Sequence, residues 1–106
     1  MSMVSESYIV HVNPAAVRKL VAHIEFLWRI NEGAATILYD DYNNALKFLE
    51  CTPEICPIYI PKIAIDAEFR YKIFGKRYRI VFEIVNSAVF IQDVQDCRQD
   101  DDKYIL

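Results

Sequence analysis

The sequence predicts an α+β domain in which an antiparallel helix hairpin packs on one face of a four-stranded antiparallel sheet. A β-branched, alternating stretch near the start predicts a strand, and two segments with apolar residues spaced three and four apart predict helices. Three further strand-like segments follow, separated by pairs of turn-forming residues. The predicted order is β-α-α-β-β-β, which lets both apolar helix stripes be buried against one sheet face. We expect the first strand to lie beside a later one.

Local signals define the first strand and the two helices. Residues 8–12 alternate in the manner of a strand, and Asn13-Pro14 combines a preferred N-cap residue with proline at the first helical position. Gly33 is the predicted stop of the first helix, and the second begins at once. Because the link is so short, the two helices must run antiparallel. The predicted apolar stripe of the first helix comprises Val17, Leu20, Val21, Ile24, Leu27 and Trp28.

The second half of the chain contains an irregular connection and then three strands. Residues 52–66 hold three prolines, and Ile58 to Ile60 could form a short extended piece. The pairs Gly75-Lys76 and Asn86-Ser87 are both plausible two-residue hairpin turns. The three predicted strands are Glu68–Phe74, Arg77–Val85 and Ala88–Val94.

Length and hydropathy predict one cytoplasmic domain. A chain of 106 residues, 54% of them hydrophobic, suits a single core, which we assign to residues 7–95, with 96–106 as a polar tail. No apolar run approaches the roughly 18 residues that a membrane span needs. The first residues also lack the basic-then-apolar layout of a signal peptide.

The cysteines and the net charge weigh against several kinds of site. Cys51, Cys56 and Cys97 are an odd number without a Cys-x-x-Cys pair, whereas a zinc site needs about four closely spaced ligands. We therefore expect free thiols, no metal and no cofactor. The net charge of −3 argues against a nucleic-acid-binding role, because such domains are usually basic.

One short segment is nevertheless basic. Positions 70–79 hold five basic residues and no acid. A two-residue turn at Gly75-Lys76 would pair Lys72 with Arg79 and place Tyr71 and Ile73 on the core face with Tyr78 and Ile80. This register predicts an anion-binding or acidic-partner surface; the alternative is a solvated face neutralised by neighbours such as Glu68 and Glu83. The predicted basic face comprises Arg70, Lys72, Arg77 and Arg79, flanked by the apolar Val81, Val85, Phe90 and Val94.

Six segments follow one another in a recognisable order: YIVHV, NPAAVRKLVAHIEFLW, AATILYDDYNNALKFL, YRIVFEIV, VFIQDV and RQD. Their order resembles the RelE/ParE toxin superfamily along nearly the whole chain. The resemblance implies the toxin of a type II toxin–antitoxin (plasmid stabilisation) module, held inactive by a cognate antitoxin. ParE-like members inhibit DNA gyrase, whereas RelE-like members are mRNA interferases that cut messenger RNA on the ribosome.

The resemblance leaves two activities open. A RelE-like nuclease would use Arg79, which matches the family's strand arginine, together with Arg98 and Tyr104, whose spacing is similar to a terminal Arg and Tyr of some nucleases. The acidic run 100–102 between them would repel phosphate. The RQD segment resembles the ParE ending, although Asp96-Cys97 replaces the usual His-Gly.

We therefore expect a ParE-like gyrase inhibitor that is not an enzyme, and a homodimer is possible. Two alternatives stay open: a ribosome-dependent mRNA endoribonuclease, and a degenerate, non-toxic module that keeps only its interaction surface. His11 and His23 are expected to be structural, and Glu68 is expected to form an ion pair with Arg70.

Overall fold

Two helices pack on one face of a mixed five-stranded sheet in the computed structural model, which describes residues 7–61 and 66–97. The sheet order is β1-β5-β4-β3-β2. Within the described residues, neither helix has the length and apolar character that crossing a membrane requires. The elements are β1 (Ile9–Val12), α1 (Pro14–Ile30), α2 (Glu32–Cys51), a 3-10 turn (Pro53–Ile55), β2 (Ile58–Tyr59), β3 (Phe69–Phe74), β4 (Tyr78–Val85) and β5 (Ala88–Asp96).

The sheet differs from the predicted four antiparallel strands in two ways. The expected placement of the first strand is confirmed, but β1 pairs with β5 in parallel. This direction arises because α1 and α2 return the chain to its start, where the Tyr8 N–H donates to the Glu50 carbonyl at 2.7 Å, and β3 to β5 then reverse at each turn. The short extended piece is real: β2 pairs antiparallel with β3 as a fifth strand.

Two asparagines set the helix boundaries. The Asn13 side chain accepts a hydrogen bond from the Ala15 N–H and Pro14 occupies the first helical position, as predicted. The prediction for Gly33 was wrong, because α1 ends at Ile30 and Gly33 lies inside α2. Asn31 ends one helix and begins the next: its N–H donates to the Leu27 carbonyl, and its side chain accepts from Ala34. Asn31 alone thus connects the two antiparallel helices.

The predicted apolar stripe of α1 is buried only in part. Leu20 is buried, and Ile24 and Leu27 pack against the core, whereas Val17, Val21 and Trp28 remain substantially exposed. The helix therefore turns one side of its stripe to the sheet and leaves the other side at the surface. The buried residues of α2 are Ala35, Leu38, Tyr42, Ala45 and Leu49.

The turn between β3 and β4 has three residues, not two, and this changes the register. Gly75 and Lys76 both have left-handed backbone, with φ of 58° and 70°, and Arg77 completes the turn. Phe74 consequently pairs with Tyr78, and Arg79 pairs with Ile73 instead of Lys72. A slip of one residue exchanges the faces of one strand relative to the other. The predicted core face was therefore wrong for Tyr71 and Ile73, and Phe74 joins the core in their place.

The register of the hairpin between β4 and β5 is as predicted near the turn and shifts by one residue farther along the strands. Ile84 pairs with Val89 and Phe82 with Ile91, as a two-residue turn at Asn86-Ser87 requires. Beyond them Val81 pairs with Asp93, so Gln92 is the extra residue of a bulge. The bulge moves Val94 from the predicted outer face into the core. Strand β5 also continues to Asp96, which is buried, so the polar tail begins later than predicted.

The β3–β4 turn gives a direct test of this packing. A Cβ on Gly75 would lie 2.8 Å from Leu38 Cδ1, at a backbone φ that side chains rarely adopt. We expect Gly75→Ala to lower the free energy of unfolding by about 1–3 kcal/mol, measured by urea denaturation. Gly33→Ala is the control, since that Cβ meets Asn31 Oδ1 at 3.2 Å on ordinary helical backbone. Unchanged stability in Gly75→Ala would contradict the described turn.

Candidate functional site

The residues of the predicted basic face lie on different sides of the sheet. Arg70 and Lys72 pair with Phe82 and Ile80 and share the face that the helices cover, which we call the helix-covered face. Arg79 lies on the opposite, open face, and Arg77 belongs to the β3–β4 turn. The three-residue turn is the cause, because it moves β4 by one position against β3.

Arg70 and Lys72 have local partners on the helix-covered side. The Arg70 guanidinium donates to the Cys56 carbonyl at 2.6 Å, and its other nitrogen lies 3.5 Å from a Glu68 carboxylate oxygen. The predicted ion pair of Glu68 with Arg70 is thus present. The Lys72 Nζ lies 4.2 Å from the centre of the Phe48 ring, a cation–π arrangement. Arg70 is thus held beside the segment that leads into β2, and Lys72 is held beside α2.

The open face carries a small second core, which the sequence did not predict. Tyr59, Phe69 and Val81 are buried there, and Tyr71 packs against them. Phe90 lies on the same face, as predicted, and its ring stacks on His11 with centroids 4.8 Å apart. His11 therefore has the structural contact expected of it.

A buried polar network crosses this second core. Gln95 is fully buried, and its amide oxygen accepts from Arg79 Nε at 2.6 Å. Its amide nitrogen donates to the Tyr59 hydroxyl at 3.3 Å and to Asp93 at 3.0 Å. The other Asp93 oxygen accepts from Lys19 Nζ at 2.6 Å. Each buried group of the network is thereby satisfied, as buried polar atoms require.

Arg79 is also in contact with two aromatic rings. Its guanidinium carbon lies 5.0 Å from the Tyr59 ring centre and 5.9 Å from that of Tyr71. These contacts and the Gln95 amide fix the side chain against the second core. Arg98 and Tyr104, the other two residues of the predicted catalytic set, lie outside the described residues.

Lys19, Tyr59, Asp93 and Gln95 were not predicted from the sequence. One signal could have found two of them: Asp93 and Gln95 are polar residues spaced two apart in one strand, which places both on one face. The involvement of Lys19 depends on packing, because it reaches from α1 to β5. Tyr59 lies in a proline-bounded connection, where no periodicity predicts its direction.

Comparison with known proteins gives no match to this chain among family models, curated proteins or solved structures. Within residues 7–61 and 66–97, no group of three His, Cys, Asp or Glu side chains is placed to hold a metal ion. The polar network and the exposed surface around it are therefore the features that bear on the function of the site.

The polar network predicts a graded loss of stability. Gln95→Leu removes the amide that serves Arg79 and Asp93, and we expect the free energy of unfolding to fall by about 2–3 kcal/mol in urea denaturation. Tyr59→Phe removes one hydroxyl and should cost about 1 kcal/mol. Small and equal losses in the two variants would show that the network does not form in solution.

Cys56 provides a second measurement. Burial raises the pKa of its thiol, although Lys72 and Arg70 act in the opposite direction. We expect the native protein to be alkylated at Cys56 at least about tenfold more slowly than at the exposed Cys51. Because the folded pKa lies above the ordinary 9.0, this burial also makes stability fall as pH rises past that value. Equal alkylation rates before unfolding would contradict the placement of Cys56.

Proposed function

We propose that this chain is the toxin of a bacterial type II toxin–antitoxin module, acting in the cytoplasm by binding a protein target. The target proposed is DNA gyrase, as in ParE-like toxins, and a cognate antitoxin neutralises the toxin. Support comes from the resemblance together with the element order, in which a helix hairpin lies between a first strand and a three-stranded meander.

The separation of the basic residues is the observation that favours a protein target over an RNA target. A nuclease needs several cations converging on one phosphate. Arg70 and Lys72 lie on the helix-covered face, and Arg79 lies on the open face. On that open face the Asp93 carboxylate shares Gln95 as a hydrogen-bond partner with Arg79. The described residues therefore favour protein binding.

The helix hairpin offers a surface for such a target. Several large apolar side chains are more than half exposed, although side chains of this type usually lie in a core. They are concentrated around the reversal between the helices, where protein contacts could cover them. These residues are Phe26, Trp28, Ile30, Ile37 and Tyr39.

The RelE-like activity is kept as a second candidate because of one observation. Arg79 lies beside Tyr59 and Tyr71 on the open face. A cation beside aromatic rings is also a common arrangement in proteins that bind single-stranded nucleic acids. This cluster is the feature that a nuclease would use to bind RNA.

The proposal is tested by induced expression in bacteria. We expect growth arrest with altered plasmid supercoiling and intact messenger RNA, and inhibition of purified gyrase by the purified protein. Rapid message cleavage with normal supercoiling would favour the nuclease instead. Absence of arrest, together with no effect on gyrase, would contradict both toxin activities and leave a non-toxic interaction module.

Two variants distinguish gyrase binding by the helix hairpin from a function of Arg79 on the open face. Trp28→Ser changes an exposed residue of the hairpin, so the fold should persist while gyrase inhibition falls by about tenfold or more. Arg79→Gln removes the open-face cation and should leave inhibition nearly unchanged. Circular dichroism and thermal melting check that both variants are folded. The opposite pattern would indicate that Arg79 is the functional residue.

A further inference from the structure

A continuous groove runs between α2 and the outer edge of β3, and at this edge it also includes Ile73, whose strand position belongs to the open face. It consists of three adjoining cavities of about 280, 340 and 270 Å³. The first and second cavities share Asp41, Gly75 and Lys76 as lining residues, and the second and third share Phe48, Lys72 and Ile73. We call this feature the α2–β3 groove.

The groove exists because β2 is short. Its two residues pair only with Phe69 and Arg70. One more backbone hydrogen bond follows, in which the Tyr71 N–H donates to the carbonyl of Pro57, just before β2. Within the described residues, the remainder of β3 has no strand on its outer side. The β3–β4 turn closes the middle of the groove, where Gly75 packs closely on Leu38.

The lining of the groove is basic in a chain of net charge −3. Lys72, Lys76 and Arg77 line it, against a single acid, Asp41. Lys72 is held over the Phe48 ring, and Lys76 occupies a left-handed conformation that costs a non-glycine residue about 1 kcal/mol. Glu54, beside the lining residue Ile55 in sequence, accepts a hydrogen bond from the Tyr8 hydroxyl and does not line the cavities.

Exposed isoleucines accompany these charges. Ile37 lines the first cavity, Ile73 the second and third, and Ile55 the third, and they are 62%, 43% and 68% exposed. Ile37 and Asn44, which line the first and second cavities, are seven helical residues apart. At 1.5 Å per residue this spacing is about 10 Å, or two turns of a bound helix.

We propose that the α2–β3 groove binds an acidic, amphipathic segment of a partner protein. Apolar side chains about 10 Å apart enter the cavities, and carboxylates meet Lys72, Lys76 and Arg77. The imbalance of three cations against one acid selects an acidic occupant over a neutral or basic one. Assigning this segment to the cognate antitoxin rests on the proposed function, whereas the chemistry of the groove does not.

The probes are two synthetic peptides of about 14 residues with leucines spaced seven apart. One carries glutamate between the leucines and the other carries lysine. Methyl NMR of the full chain should show shifts at Ile37, Ile73 and Ile55, but not at Ile9, with affinity about tenfold higher for the acidic peptide. Equal affinity for both peptides, or shifts confined to other residues, would overturn the proposal.

Charge reversal supplies the matched variants. Lys76→Glu should abolish the preference for the acidic peptide, whereas Lys47→Glu changes the net charge by the same amount on α2 outside the groove and should preserve it. Ile73→Glu should weaken binding, whereas Ile60→Glu, at a more exposed isoleucine outside the groove, should not. If Lys47→Glu abolishes the preference as well, overall charge is responsible and the groove assignment fails.

Failure of the proposed function can be distinguished from failure of the groove assignment. Peptide binding by a chain that causes no growth arrest would refute the proposed function and leave the groove assignment intact. Sedimentation of the protein alone tests the other occupant: a dimer whose formation shifts the same isoleucine methyls would show that a second copy fills the groove, which would overturn the assignment to a partner protein.

Discussion

The conformation of the β3–β4 turn is the constraint on which the rest of the structure depends. Two consecutive left-handed residues, Gly75 and Lys76, make the turn three residues long. Glycine suits the first position because the backbone there is left-handed and a Cβ would lie 2.8 Å from Leu38 Cδ1 of α2. The turn thereby fixes the register of β3 against β4 and also seats the hairpin on the helices. Both the core and the charge distribution follow from that register.

The two faces of the sheet acquire different chemistry from this one choice. On the helix-covered face, Phe74 completes the core, and Lys72 extends along its edge toward Phe48. On the open face, Arg79 meets Gln95 and Tyr59 within a second small core. Arg79 is thereby separated from Arg70 and Lys72, with which a two-residue turn would have placed it on one face. This separation supports the proposal of a protein target over a nucleic acid.

The sequence predicted the elements well and the register poorly, for physical reasons. Helix periodicity and the Asn13-Pro14 signal are local, so the helices and their hairpin could be placed from residues alone. The Gly75-Lys76 pair suits either turn length, so the local sequence does not decide between them. The bulge at Gln92 likewise leaves no local signal. The buried network was missed because it joins Lys19, Tyr59 and Gln95 from three distant segments.

The most direct test is the cross-strand register of β3 and β4, measured from backbone NOEs in solution. The three-residue turn predicts that Ile73 faces Arg79 and that Lys72 faces Ile80. An NOE pattern in which Lys72 faces Arg79 would restore a two-residue turn. Arg70, Lys72 and Arg79 would then share one face, and the separation of cations that underlies the proposed function would not exist.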